Sequence, residues 1–320
     1  MSVRTAVTDG EVGLPTIGIG IAVFVLFLAL PLFLGEFEVG ILTRILILAI
    51  FALAFNIAFG FTNLPSFGHA AFFGVGAYGM ALTMEYLEPG SIFIPLIVAL
   101  FAAFVLSVIM GLASLRGKGI YFSLLTFAFA QFLYEVVFRW TEFTGGSDGV
   151  ILFAPTVFGF SISGPVNVYY ISLVLLAVFI VGMYRLLNSP FGKVMAAVRK
   201  NDERTGAVGY PVKRVQLTVF VMSGTLASLA GMLQAVSNIF VSPSTLFYQQ
   251  SIDALVVTII GGSTTLLGPV IGSFILVLLR EGTRELANIG TILTGVIFIG
   301  IILLAQDGVI GEIRNYFEEE

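Results

Sequence analysis

The sequence predicts an all-α, polytopic membrane protein of nine or ten transmembrane helices, with one short amphipathic helix lying outside the bilayer. Three observations carry this expectation. Of 320 residues, 58% are hydrophobic and only 11% charged, more apolar surface than a soluble core of this length can hide. The mean hydropathy is +1.05. The chain also runs without a formal charge over stretches far longer than a barrel strand, the clearest lying between Arg44 and Glu85. Backbone amides must find partners inside hydrocarbon, so runs of this length cross as helices.

Taken in order, residues 1–12 form a cytoplasmic head, and the run from Val12 to Gly35 outlasts a signal-peptide core of about 7 to 15 residues, which makes it a retained span. The stretch between Arg44 and Glu85 is long enough for two helices and is punctured at Asn63-Leu64-Pro65-Ser66, where they meet. Further charge-free runs cover Pro89 to Leu115, Gly119 to Tyr134, Val150 to Tyr184 and Val215 to Ile252. Ala254 to Leu279 is broken by Gly261-Gly262 and Gly268-Pro269, and reads as one tilted helix or two short ones around a bend. Leu286 to Gln306 is the last span, and residues 307–320 form an acidic tail. Ten spans return the C-terminus to the cytoplasm; nine leave it outside. The whole of 1–320 reads as a single membrane-spanning domain.

Orientation follows from Lys and Arg, which favour the cytoplasmic side in short loops. Arg185, Lys193, Arg199, Lys200, Arg204, Lys213 and Arg214 crowd one stretch and make up seven of the 15 basic residues, placing residues 188–214 inside as a cytoplasmic loop. Counting crossings backward puts Arg116, Lys118 and Arg4 inside as well. Residues 140–167 are rich in Gly and Ser, carry Glu142 and Asp148 and contain no Lys or Arg, as expected of an extracytoplasmic loop.

The inventory excludes several kinds of chemistry. A net charge of −4 gives no basic face for nucleic acid. Cysteine is absent and His69 is the lone histidine, so thiol nucleophiles and Cys/His metal sites are ruled out. No G-x-x-x-x-G-K-[ST] loop occurs, so energy from nucleotide would have to come from elsewhere. Gly74-Val75-Gly76-Ala77-Tyr78-Gly79 matches G-x-G-x-x-G but lies inside an apolar span, where small residues serve the close approach of two helices.

Residues 188–214 have the grammar of a surface helix. Ser189 can cap it, Pro190 suits its first turn, and Phe191, Val194 and Val198 repeat on one face while Lys193, Arg199, Lys200, Asp202, Glu203 and Arg204 line the wet side. Such a helix can rest on headgroups, engage a soluble partner, or simply fix orientation.

The segments SFGHAAFFGVGAYGMAL, LRGKGIYFSLLTFAFAQ, TGGSDGV, SPFGKVMAAVRKNDERTGAVGYPVKR and VVTIIGGSTTLLGPVIGS together resemble those of branched-chain amino-acid ABC transporter permease subunits, the LivM type, over roughly residues 40 to 306. The resemblance implies a multi-pass subunit in the prokaryotic cell membrane that pairs with a second, LivH-like permease, two cytoplasmic ATPases and an extracytoplasmic substrate-binding protein. It implies that the helix from Ser189 to Gly209 is the element coupled to the ATPase, through Phe191, Lys193, Val194, Arg199, Lys200, Asp202, Glu203 and Arg204. It implies no cofactor bound by this chain, ATP being used by the partners, and a transport role rather than an enzymatic one. Where the family commonly has an Ala-Ala pair after the acidic residue, this chain has Arg204, Thr205 and Gly206 after Glu203. Glycine costs a helix on the order of 1 kcal/mol relative to alanine, so the last turn is expected to be weak.

Asn56, Ser66, His69, Gln131, Gln234 and Asn238 form the candidate set for a translocation path, offering hydrogen bonds to a zwitterion without fixed charge. The plainer alternative is that they bond helices together, with His69 serving the start of a helix after the Pro65 break. Glu135 and Arg139 are spaced as a stabilising i, i+4 pair, while Asp253 and Arg44 fall near outer helix ends within reach of water. Two other functions stay open. One is a urea or amide importer of the same family; the other is a self-sufficient secondary transporter or channel, which the scarcity of mid-span carboxylates disfavours.

Overall fold

A computed structural model describes residues 14–87, 91–153, 155–157, 160–162, 164–284, 292–293, 295–300, 308–309 and 311–312. Its helices are α1 (Leu14–Ala29), α2 (Glu36–Thr62), α3 (His69–Leu87), α4 (Phe93–Ser114), α5 (Ile120–Arg139), α6 (Thr141–Thr144), α7 (Pro165–Asn188), α8 (Pro190–Lys200), α9 (Asp202–Ala207), α10 (Val212–Asn238), α11 (Gln249–Gly261) and α12 (Gly268–Gly282). Five of these, α2, α4, α5, α7 and α10, are long and apolar enough to cross a membrane.

The centre of the bundle is α2. Its sequence is apolar all round, the mark of a helix with no solvent face, and 89% of its most apolar window is buried. Around it pack α7, α10, α11 and α12. At the periphery α4 and α5 show the opposite, with 28% and 22% of their windows buried, so their apolar side chains face outward as lipid-exposed ones do.

The break read at Asn63 to Ser66 is present. Asn63 takes a left-handed conformation (φ 55°) that ends α2, and its amide still reaches Phe59 O at 3.0 Å. The freed Pro65 carbonyl accepts from Ser123 Oγ of α5 at 2.6 Å, so the interruption stays satisfied inside the protein. Beyond it, α3 uses small residues to approach its neighbours. Gly76 lies on the Ser228 carbonyl of α10, and Gly79 on the backbone and Cβ of Ala99 of α4, where any added Cβ would collide. The Gly74–Gly79 run is therefore a packing face.

The stretch from Ala254 to Leu279 forms two helices. α11 and α12 make an antiparallel hairpin: Gly261 meets Gly268, Gly272 meets the Val257 backbone, and Asp253 meets Arg280. With 13 and 15 residues, they rise only about 20 and 22 Å, short of a hydrocarbon layer of about 30 Å. The Asp253 carboxylate is bound at 2.7 Å by both terminal nitrogens of Arg280. Asp253 is only 8% exposed, so it satisfies its charge by pairing and not, as expected, by reaching water.

Two differently built ends result. One gathers the α2–α3 break, the α4–α5 turn, α8 and α9, with the 262–267 turn held close by Asn56 Nδ2 donating to Thr265 O at 3.3 Å. The backbone of Gly308 also lies against Gly261 and Gly262 at this end. The other end carries the 140–167 segment, which is not wholly irregular. β1 (Val150–Ile151) pairs antiparallel with β4 (Phe240–Val241), and β2 (Thr156–Val157) with β3 (Phe160–Ser161). The run from Val215 to Ile252 is likewise not one span, for α10 ends at Asn238 before β4 and a 3-10 turn lead into α11. Of the terminal segments read from sequence, 1–12 and most of 307–320 lie outside the described residues.

Two outcomes follow. Asp253→Ala should lower the stability of the detergent-purified chain by about 2 kcal/mol, because it strands a half-buried guanidinium; the swapped pair Asp253→Arg with Arg280→Asp should recover part of that loss, as read by thermal unfolding. Gly76→Leu should abolish the folded monomer on size-exclusion chromatography, and a normally folded variant would refute the close α3–α10 contact.

Candidate functional site

The basic end is built on α8. Ser189 Oγ accepts from the Gly192 amide at 3.2 Å and Pro190 fills the first turn, the start that the sequence predicted. One helix from Ser189 to Gly209 was expected; the chain instead breaks at Asn201, which is extended (φ −164°, ψ 107°). Asn201 Oδ1 then accepts from the Arg204 amide at 2.8 Å and caps α9. An Asn followed by Asp202 and Glu203 is itself a helix-start signal, since both carboxylates favour the first turn. That signal was legible and outweighs continuation of α8. α9 ends before Gly209, whose φ of +100° suits glycine alone.

The apolar face of α8 is already occupied. Met195 and Val198 are buried, and Phe191 and Val194 pack beside them against Met183 and Leu187 of α7, Ile57 and Phe61 of α2, and Val215 and Val219 of α10. Phe191 and Val194, which the resemblance assigned to the ATPase contact, therefore anchor α8 to the bundle. Met195 was missed because it interrupts the 191–194–198 pattern, yet it is 0% exposed. What faces outward is polar: Lys193, Lys200, Glu203 and Arg204 are exposed.

A cleft of about 840 Å³ opens beside α8 and α9, between them and the α4–α5 turn. Lys118 of that turn lies 3.4 Å from Asp202 and 4.0 Å from Glu203, tying α9 to the start of α5. These groups are largely exposed, so the pair is a weak latch and not a clamp. Arg199 sits in the cleft wall, where burial pushes its guanidinium below the ordinary value.

The six residues considered for a translocation path differ in burial and in partners. Asn56, Ser66 and His69 are fully buried. Asn56 holds the hairpin turn, and Ser66 Oγ accepts from the Gly68 amide at 3.2 Å. His69 Nε2 is 2.7 Å from Ser223 Oγ, which donates to Ala54 O at 2.6 Å, so the imidazole donates to the hydroxyl. Phe55, Phe72 and Phe220 pack their rings around it. This joins α2, α3 and α10 and fits the plainer reading of His69. Gln131 and Gln234 are half-buried on α5 and α10, and Asn238 is exposed at the end of α10. None of the six lines the cleft. Glu135 and Arg139 do pair, at 2.8 Å on the exposed side of α5.

Comparison with known proteins meets this architecture over most of the chain. Residues 38–306 match the family described as the permease component of branched-chain amino acid transport systems. The high-affinity branched-chain amino acid transport system permease protein LivM of Escherichia coli (strain K12) is 26% identical over 314 residues, covering 91% of this chain and 74% of that protein. The probable branched-chain amino acid transport permease protein LivH of Methanocaldococcus jannaschii is 25% identical over 290 residues, covering 83% and 89%. The ribose import permease protein RbsC of Haemophilus influenzae is 29% identical over 149 residues, 45% of each chain. No solved structure matches the chain. An apolar bundle with a basic two-part surface helix, matched from Glu38 to Gln306, places this multi-pass membrane protein in the branched-chain amino acid ABC transporter permease family.

Proposed function

We propose that this chain is the LivM-type permease subunit of an ATP-driven importer in the prokaryotic cell membrane, moving branched-chain amino acids by alternating access. The observation that carries the reading is α8: its apolar face is locked into α2, α7 and α10 while its cations face out, so force applied there reaches three membrane helices at once. ATPase subunits supply that force from the cytoplasm, a second LivH-like permease completes the path, and an extracytoplasmic binding protein delivers substrate. Contact with the ATPase falls to Lys193, Lys200, Glu203 and Arg204, with Asp202 engaged by Lys118 and Arg199 behind them in the cleft.

The basic end lies in the cytoplasm, since it gathers Arg116, Lys118, Arg185, Lys193, Arg199, Lys200, Arg204, Lys213 and Arg214. Ten passes of the chain agree with the hairpin of α11 and α12, the two short passes, and with Gly308 meeting Gly262 at the basic end. The likeness to a ribose permease over less than half of the chain favours a second reading of the cargo only, with the same machinery carrying a small polar solute of another kind.

Three measurements test this reading. Co-expressed with its partner subunits in liposomes, the chain should support uptake of leucine with substrate-stimulated ATP hydrolysis, whereas alone it should do neither; uptake by the isolated chain, or of ribose in place of leucine, would refute it. Lys193→Glu with Arg204→Glu should reduce ATPase co-purification and transport by tenfold or more while leaving the melting temperature unchanged. In the cysteine-free background, Lys200→Cys and Glu312→Cys should react only from the cytoplasm and Ser147→Cys only from outside; opposite labelling of Lys200→Cys would reverse the orientation, and of Glu312→Cys alone the ten-pass count.

A further inference from the structure

The cleft beside α9 shares Lys200 and Glu203 with the proposed ATPase contact, but its Lys213 and Arg214 have no part in that contact. Lys118, Arg199, Lys200, Lys213 and Arg214 line it, against Asp202 and Glu203. Lys118 takes both carboxylates. Among the described residues, no carboxylate pairs with Arg199, Lys200, Lys213 or Arg214, which leaves four cations around one concavity. Its lower wall is apolar, with Leu64, Leu115, Phe122 and Val198.

The level of the cleft is set by what frames it. Thr62 is the last residue of α2, Leu115 follows α4, Phe122 is in the first turn of α5, and Val212 opens α10. These are ends of four helices able to cross the bilayer, so the cleft lies where hydrocarbon gives way to headgroups. Large apolar side chains stand exposed on the segments that line it: Tyr210 at 49% in the lining itself, Ile120 at 70% and Tyr121 at 69% between the lining residues Gly119 and Phe122, and Val208 at 78% between Gly206 and Tyr210. Cations alone would suit any acidic peptide. Exposed aliphatic and tyrosyl groups next to them are the signature of a surface resting in the membrane interface, where acyl chains cover the apolar rim and phosphate meets the cations.

We propose that this cleft is a binding site for an anionic phospholipid headgroup on the cytoplasmic leaflet, with Arg199, Lys213 and Arg214 holding the phosphate and Ile120 and Tyr121 packing on the acyl chains. Four uncompensated cations favour a headgroup with two phosphates over one with a single phosphate. The lipid bridges α9 and the start of α10 to the α4–α5 turn, across the same gap as the weak Lys118 latch, and so holds the two pieces of the surface helix in register with α5. The leaflet rests on the orientation proposed above, while the site itself rests on the cleft and holds whichever solute is carried.

The full chain, delipidated in detergent and titrated with cardiolipin, phosphatidylglycerol or phosphatidylcholine, gives the test by native mass spectrometry. Cardiolipin should bind most tightly, phosphatidylglycerol more weakly and phosphatidylcholine not measurably. Lys213→Gln with Arg214→Gln should weaken cardiolipin retention roughly thirtyfold, at about a factor of five per cation. Lys193→Gln with Arg204→Gln, which removes two cations from the same end outside the cleft, should leave retention unchanged. Equal binding of phosphatidylcholine, an unaltered Lys213/Arg214 variant, or equal loss in the Lys193/Arg204 variant would overturn the site. Competition of cardiolipin by millimolar inorganic phosphate with equal protection against thermal unfolding would assign a soluble anion and overturn the lipid. A Lys213/Arg214 variant that unfolds is replaced by Lys213→Arg with Arg214→Lys, expected to retain the lipid; loss of binding there counts against the proposal. Failure of leucine uptake would leave these binding results standing, so the two readings fail separately.

Discussion

A helix can be interrupted within a membrane protein only where other groups take up the hydrogen bonds that the interruption frees. Much of this architecture answers to that constraint. The α2–α3 break survives because Ser123 reaches across from α5 to the Pro65 carbonyl and Asn63 keeps its amide bonded in a left-handed turn. The α11–α12 turn survives because Thr265 Oγ1 accepts from the Gly268 amide at 3.0 Å and Asn56 of the central helix holds the Thr265 carbonyl. Both breaks are pinned to the same helix, α2, and both lie towards the basic end.

From that follows a division of labour among polar residues. Inside the bundle, Asn56 Nδ2, His69 Nε2 and Ser223 Oγ bond across to other elements and act as joints between helices, while Ser66 serves the break itself. Among the described residues, the cations without a carboxylate partner, Arg44 apart, collect at one end, around α8, α9 and the mouth of α10. Family membership makes the chain a transport component, and the asymmetry gives that component one end rich in cations.

The sequence made local features legible. Proline and paired glycines marked both breaks, the Ser189-Pro190 start fixed α8, and i, i+4 spacing found Glu135 and Arg139, because each depends on residues a turn or less apart. Features joined through space were not legible. Asp253 and Arg280 sit on separate helices, and nothing in their spacing says that one carboxylate is held by both nitrogens of the other. The roles of Phe191 and Val194 escaped for a related reason: an amphipathic pattern shows which face is apolar but not whether the covering surface belongs to a partner or to the same chain. Lys118 escaped for want of any local signal. The recipients of the bonds made by Asn56, Ser66 and His69 were not legible either, because polarity in an apolar span signals a hydrogen bond without naming its recipient.

The extended residue Asn201 gives the basic surface two routes inward. Pressure on α8 bears directly on the core helices into which Met195 and Val198 are sunk, whereas α9 leans on α8 and α10 and reaches the outermost helix, α5, through one solvent-washed lysine. The first route is stiff and insensitive to ionic strength. The link to α5 weakens as salt rises, because both of its charges stand in solvent.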